Sequence, residues 1–104
     1  MIIQYNTDKT ITGDERNEDY FTSLISKELD RFQSHLTRVE VHLKDENGKK
    51  DGFQDIRCLI EARMEGKPPI AVSNQADTVS NAVSGAIDKL KSSLETIIGR
   101  IKTR

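Results

Sequence analysis

Cys58 is the only thiol of the chain and His35 and His42 are its only imidazoles, the side chains that most readily serve nucleophilic or zinc chemistry. A nucleophile needs a base beside it, and a zinc site needs three or four closely spaced ligands. Cys58 alternates onto the apolar side of a strand segment, where a free thiol acts as a small hydrophobe rather than a reactive thiolate. His42 falls on the polar side of another strand and His35 near the end of a helical segment; two imidazoles without a spaced third ligand make a poor zinc site, and surface or helix-end roles suit them better. Asp45 and Asn47 stand like the first ligands of a calcium loop, but Lys49 takes the next ligand position and no bidentate Glu closes the loop. No glycine-rich phosphate cradle occurs. The expectation is a non-enzymatic chain with no cofactor, no metal and no small-molecule substrate.

The remaining chemistry is cationic. Lys27 and Arg31 lie four residues apart on one helix, Lys89, Lys91 and Arg100 lie on another, and Arg38, Arg57 and Arg63 fall on the wet side of two strands. Such groups on rigid elements can follow the phosphates of a folded RNA by shape, without reading bases. The same residues also suit cross-strand ion pairs and the cation-rich C-terminus of a helix. The formal net charge of −1 hides an asymmetry: residues 1–55 carry 8 basic and 12 acidic side chains, residues 56–104 carry 8 and 5. Tyr5, Tyr20, Phe21, Phe32 and Phe53 are too few, and too often at core positions, to stack single-stranded bases.

Periodicity supplies the elements that must hold these groups. Ile2 to Asn6 has the length of a short strand. From about Asn17, Phe21, Leu24, Ile25, Leu29, Phe32 and Leu36 recur at three- and four-residue steps, the pattern of a helix face, with Asp14, Glu15, Glu18 and Asp19 at its N-terminus. Val39, Val41 and Leu43 alternate with Arg38, Glu40, His42 and Lys44, giving a second strand. The polar, glycine-containing stretch from Asp45 to Gly52 reads as a hairpin loop. Ile56, Cys58, Ile60, Ala62 and Met64 form the apolar side of a third strand. Pro68 and Pro69 precede a short fourth strand, Ile70 to Ser73. With Asp77 as N-cap, Val79, Val83, Ala86, Ile87, Leu90, Leu94, Ile97, Ile98 and Ile101 mark a long final helix. The order β-α-β-β-β-α predicts an α+β two-layer sandwich, a four-stranded sheet with two helices on one face.

At 104 residues, with 35% hydrophobic and 32% charged side chains, the chain fits a single domain, 1–104, and one core. No apolar run reaches the length of a membrane span, the first residues lack the pattern of a signal peptide, and one thiol suits a reducing compartment. A cytoplasmic protein is expected.

The stretch Leu29-Asp30-Arg31-Phe32-Gln33-Ser34-His35-Leu36, running into Arg38-Val39-Glu40-Val41-His42-Leu43, carries a further signal. With Ala82-Val83, Asp88-Lys89-Leu90 and Leu94 it resembles the ribosome hibernation-promoting factor family, also called ribosome-associated inhibitor A or sigma-54 modulation proteins, in a short form. The block from Arg57 to Arg63 before Pro69-Ile70-Ala71-Val72 is similar to a branch of that family. The resemblance spans nearly the whole chain. It implies a fold similar in outline to double-stranded RNA-binding domains (dsRBD-like), and a monomer that binds the small ribosomal subunit and its 16S rRNA, silencing translation under stress or in stationary phase. Arg31, Lys89, Arg100 and His35 match family-like positions. Ser92, Ser93 and Thr96 stand where members often carry more basic residues, and the pI is about 6.1. Because the chain ends soon after the final helix, the resemblance leads to the expectation that the C-terminal domain that pairs ribosomes in long members is absent. The second reading is a protein-interaction or regulatory domain that keeps the fold with little ribosome binding.

Overall fold

The alternating strands, once paired, must hide one face. The computed structural model describes residues 1–8, 11, 15–46 and 55–102, except the side chains of 15–17 and 100–102. Its elements are β1 (Ile2–Thr7), α1 (Glu15–Glu28), a 3₁₀ turn (Asp30–Phe32), β2 (Leu36–Asp45), β3 (Ile56–Met64), β4 (Ile70–Ala76) and α2 (Val79–Lys102). The sheet order is β1-β2-β3-β4. Because β1 and β2 run parallel, α1 is their crossover; β2–β3 and β3–β4 are antiparallel. This is the expected α+β sandwich. Val39, Val41, Leu43, Ile56, Cys58, Ile60 and Ala62 are buried with Phe21, Ile25 and Leu29 and with Ala82, Val83, Ala86, Ile87, Leu90 and Leu94 from α2. Arg38, Glu40, His42, Arg57, Leu59, Glu61 and Arg63 alternate with the buried strand residues and so lie on the opposite face of the sheet.

Several boundaries differ from the periodic reading. The first helix stops at Glu28, where Leu29 adopts φ −100° and ψ 8°, and a 3₁₀ turn follows. A 3₁₀ turn repeats every three residues, so Leu29 and Phe32 keep the same buried side and mimic a continuing helix in sequence. His35 therefore sits in the turn leading into β2, and Leu36 opens β2. Leu36 opposes Met64 whereas Arg38 opposes Arg63, so Thr37 is an extra residue on β2. That bulge lets Leu36 face the core while Arg38, two residues on, faces outward. The ladder runs to Ala76 in β4 because Ile56 pairs with Ala76, carrying polar Asn74 and Gln75 into the strand. Asp45 ends β2 and Glu46 is in the turn; residues 47–54 of the hairpin reading lie outside the described residues. The N-cap is Thr78, whose Oγ1 accepts the Asn81 N–H at 3.0 Å, rather than Asp77, whose Oδ1 takes the Asn81 side chain at 3.2 Å.

The docking of α2 onto β4 rests on a close approach. Asn74 Nδ2 donates to the carbonyls of Asn81 and Ala82, each at 3.3 Å, and a Cβ at Gly85 would strike the Asn74 carboxamide. Gly→Ala in a helix ordinarily gains about 1 kcal/mol of propensity. Here it displaces two hydrogen bonds of about 1 kcal/mol each. Gly85→Ala is therefore expected to destabilise the protein by about 1 kcal/mol in urea unfolding, and to stabilise it in an Asn74→Ala background.

Candidate nucleic-acid interface

The seven predicted cations with described side chains separate into two groups on opposite surfaces. On the helix side, Lys91 Nζ reaches Glu28 Oε1 at 2.9 Å and Arg31 Nη2 reaches Glu95 Oε2 at 2.9 Å. These two pairs, with reversed polarity, tie the end of α1 and the 3₁₀ turn to the middle of α2. The Arg31 guanidinium also lies 4.5 Å from the centroid of the Phe32 ring, a cation–π contact that holds its plane. Lys27 is exposed on the other flank of α1, beside a shallow hollow shared with Met1, Ile3 and Asp30. Lys89 points away from the seam, donating from Nζ to the Ser73 carbonyl of β4 at 2.8 Å. Lys89 and Lys91 thus serve opposite sides of α2, as residues two apart on a helix must. The main chain of Arg100 continues α2, and its side chain lies outside the described residues.

On the open sheet face, Arg38 donates from Nε to Glu40 Oε2 at 2.7 Å and from Nη2 to Gln4 Oε1. Arg57 Nη1 is 3.6 Å from Glu46 Oε1, and Arg63 is exposed opposite Arg38. Register makes this face a set of rows across β2 and β3: Arg38 with Arg63, Glu40 with Glu61, His42 with Leu59, Lys44 with Arg57. Like charges directly opposite each other repel, and the contact of Arg38 with Glu40 along β2 offsets that repulsion between neighbouring rows. Lys44 belongs to it although it was absent from the sequence-derived set; its alternation with Leu43 was the available signal. Glu28 and Glu95 were also missed as partners. The spacings Glu28–Arg31 and Lys91–Glu95 suggest contacts within each segment, whereas the observed pairs cross between them.

The acids beside these cations respond in the direction their contacts require. The hydrogen bond from Lys91 holds the Glu28 carboxyl below its ordinary value, and the one from Arg38 does the same for Glu40. Both contributions are present above the usual carboxylate range and disappear on acidification. His35, His42 and Cys58 do not meet: His35 lines a hollow with Arg31 and Glu95, His42 lies on the open face, and Cys58 is buried in the core.

The family model for sigma 54 modulation protein / S30EA ribosomal protein matches residues 6–102. The chain belongs to this family. Among solved structures, the N-terminal domain of Thermus thermophilus Protein Y is similar to this S30EA-family chain at TM-score 0.74 and 18% identity, covering 93% of this chain and 99% of that one. A ribosomal subunit interface protein from Coxiella burnetii gives 0.71 at 14% identity, covering 95% and 99%. At these identities the likeness establishes the fold. Comparison with curated protein sequences gave no match. Among the described residues, no helix of the S30EA-family chain is long and apolar enough to cross a membrane.

Burial pushes the Cys58 thiol up to about 12, and burial, aided by Cys58 and Glu18, pushes the Tyr5 phenol up to about 12. Cys58 should therefore resist a disulfide reagent at about pH 8 in the folded chain and react fully once unfolded. An unfolded chain ionises the thiol near 9.0 and the phenol near 10.0, so stability is fully present below those values and falls as pH rises toward about 12. Denaturant unfolding at about pH 11 should show a loss of about 3 kcal/mol from the thiol, and Cys58→Ala should reduce that loss.

Proposed function

We propose that this chain acts as a monomer in the cytoplasm, binds the small ribosomal subunit through phosphates of its 16S rRNA, and silences translation under stress or in stationary phase. Membership in the S30EA family across residues 6–102 carries the reading. The solved structures of like fold include a protein described as a ribosomal subunit interface protein.

The seam between α1 and α2 supports a mechanism. Arg31 and Lys91, from segments far apart in sequence, are brought to one line on the helix side, each with a carboxylate of the partner element. Arg31 and Glu95 are both more than half exposed, so their pair contributes at most about 1 kcal/mol. Phosphate can replace Glu95 at the guanidinium with little loss, and a bidentate phosphate contact is stronger than the surface pair it displaces. Lys27 and Lys89 flank the seam, with Arg100 further along α2. Arg38, Arg57 and Arg63 supply a second set of contacts on the open sheet face. Glu28 and Glu95 thus weaken non-specific RNA binding in a chain whose net charge is −1.

Co-sedimentation with purified small subunits tests the reading. Engagement of about four or five phosphates gives a log–log salt slope of about −3 to −4 by the single-strand estimate. Arg31→Ala with Lys91→Ala should make that slope shallower by about 1.4. Glu95→Gln should strengthen binding at low salt, because Arg31 loses its competing carboxylate. No co-sedimentation at about 50 mM salt would refute ribosome binding and leave a protein-interaction domain of the same fold.

A further inference from the structure

The open face of the sheet holds a side-chain cluster that phosphate binding does not use. Glu40 on β2 and Glu61 on β3 are directly opposite in register, and His42 follows on the same face of β2, two residues on. One ligand atom from each of the three lies within 4.8 Å of the others. His42 Nε2 is 3.6 Å from Glu40 Oε1 and 3.6 Å from Glu61 Oε1. Three ligands of a tetrahedral ion at about 2.1 Å stand about 3.4 Å apart, so these two edges need only a small contraction.

We propose that Glu40, His42 and Glu61 hold one divalent cation of the zinc class, with water completing the coordination. Imidazole nitrogen with carboxylate oxygen suits zinc rather than magnesium or calcium, which favour all-oxygen shells. The two carboxylates match the charge of the ion. Without it, two glutamates face each other across the ladder, and Arg38 offsets the charge of Glu40 alone through its Nε contact.

The surrounding groups orient the ligands. Arg38 takes Glu40 Oε2 at 2.7 Å and leaves Oε1 turned toward His42, as an outer-shell hydrogen bond to a ligating carboxylate does. Asn6 and Leu59 flank His42 in the neighbouring strands, while Arg38 and Arg63 bound the cluster at one end and Lys44 and Arg57 at the other. These four cations weaken the site relative to an isolated triad. The backbones of both strands are locked by the central ladder, so the three Cβ positions are set before the ion arrives.

The site is independent of the ribosome-binding reading, and the isolated chain tests it. Zinc chloride titrated by calorimetry should show one saturable site. His42→Ala and Glu61→Gln, both on the open face and checked for folding by circular dichroism, should each weaken it at least about tenfold, whereas His35→Ala should not. Nitrogen NMR of the wild-type imidazoles should show the His42 ring moving on zinc addition and the His35 ring unchanged. No saturation up to about 1 mM zinc, an unaltered affinity in His42→Ala, or a response from His35 alone would overturn the proposal.

Discussion

The antiparallel pairing of β2 with β3 is the constraint on which the other features depend. Nine register pairs join the strands, from Leu36 with Met64 to Asp45 with Ile56. The pleat sends Val39, Val41 and Leu43, with Cys58, Ile60 and Ala62, into the helix layer, and it must send their neighbours the other way. A slip of one residue would bring Arg38, Glu40 and His42 into the core, which the cost of burying unpaired charge forbids. Register is therefore held by the hydrophobic face, and the chemistry of the open face is its by-product: rows of like charge, with an imidazole beside two carboxylates.

The helix layer is placed by two unlike devices. Apolar contact is non-directional and holds α2 against β3 and β4 through Val83, Ala86, Ile87, Leu90 and Leu94. The Asn74 carboxamide, bonded to the Asn81 and Ala82 carbonyls where Gly85 leaves room, is directional and sets how close the helix comes. With that separation set, Lys89 reaches the Ser73 carbonyl on one side and Lys91 reaches Glu28 on the other. Positioning of the cations follows from packing of the apolar stripe.

Electrostatics on this molecule is local. Arg31, Arg38, Arg57 and Lys91 each have a carboxylate within 4.0 Å or less, at 2.9, 2.7, 3.6 and 2.9 Å. The exposed Arg31–Glu95 pair contributes at most about 1 kcal/mol, and salt at physiological strength screens anything beyond about 8 Å. Such pairs neither hold the fold together nor lock the cations away from a polyanion. They lower the long-range attraction that a uniformly basic surface would exert on a polyanion.

Strand alternation and the apolar stripe of the last helix were enough to read the element order, the core and the wet face from residues such as Val39, Val41, Ile60 and Leu90, because burial acts on each side chain through its own period. The end of α1 was not readable, since Leu29 and Phe32 recur at a spacing that 3₁₀ and α geometry share; nor was Thr37 as a bulge, since an extra residue shows only against its partner strand. The candidate site offered its residue types to the sequence reading and not its pairings. Nothing local places Glu61 opposite Glu40, Lys91 against Glu28, or Lys89 on the far side of α2 from Arg31. Those neighbours are chosen by register and helix docking, and both are set by contacts between segments that only the folded chain brings together.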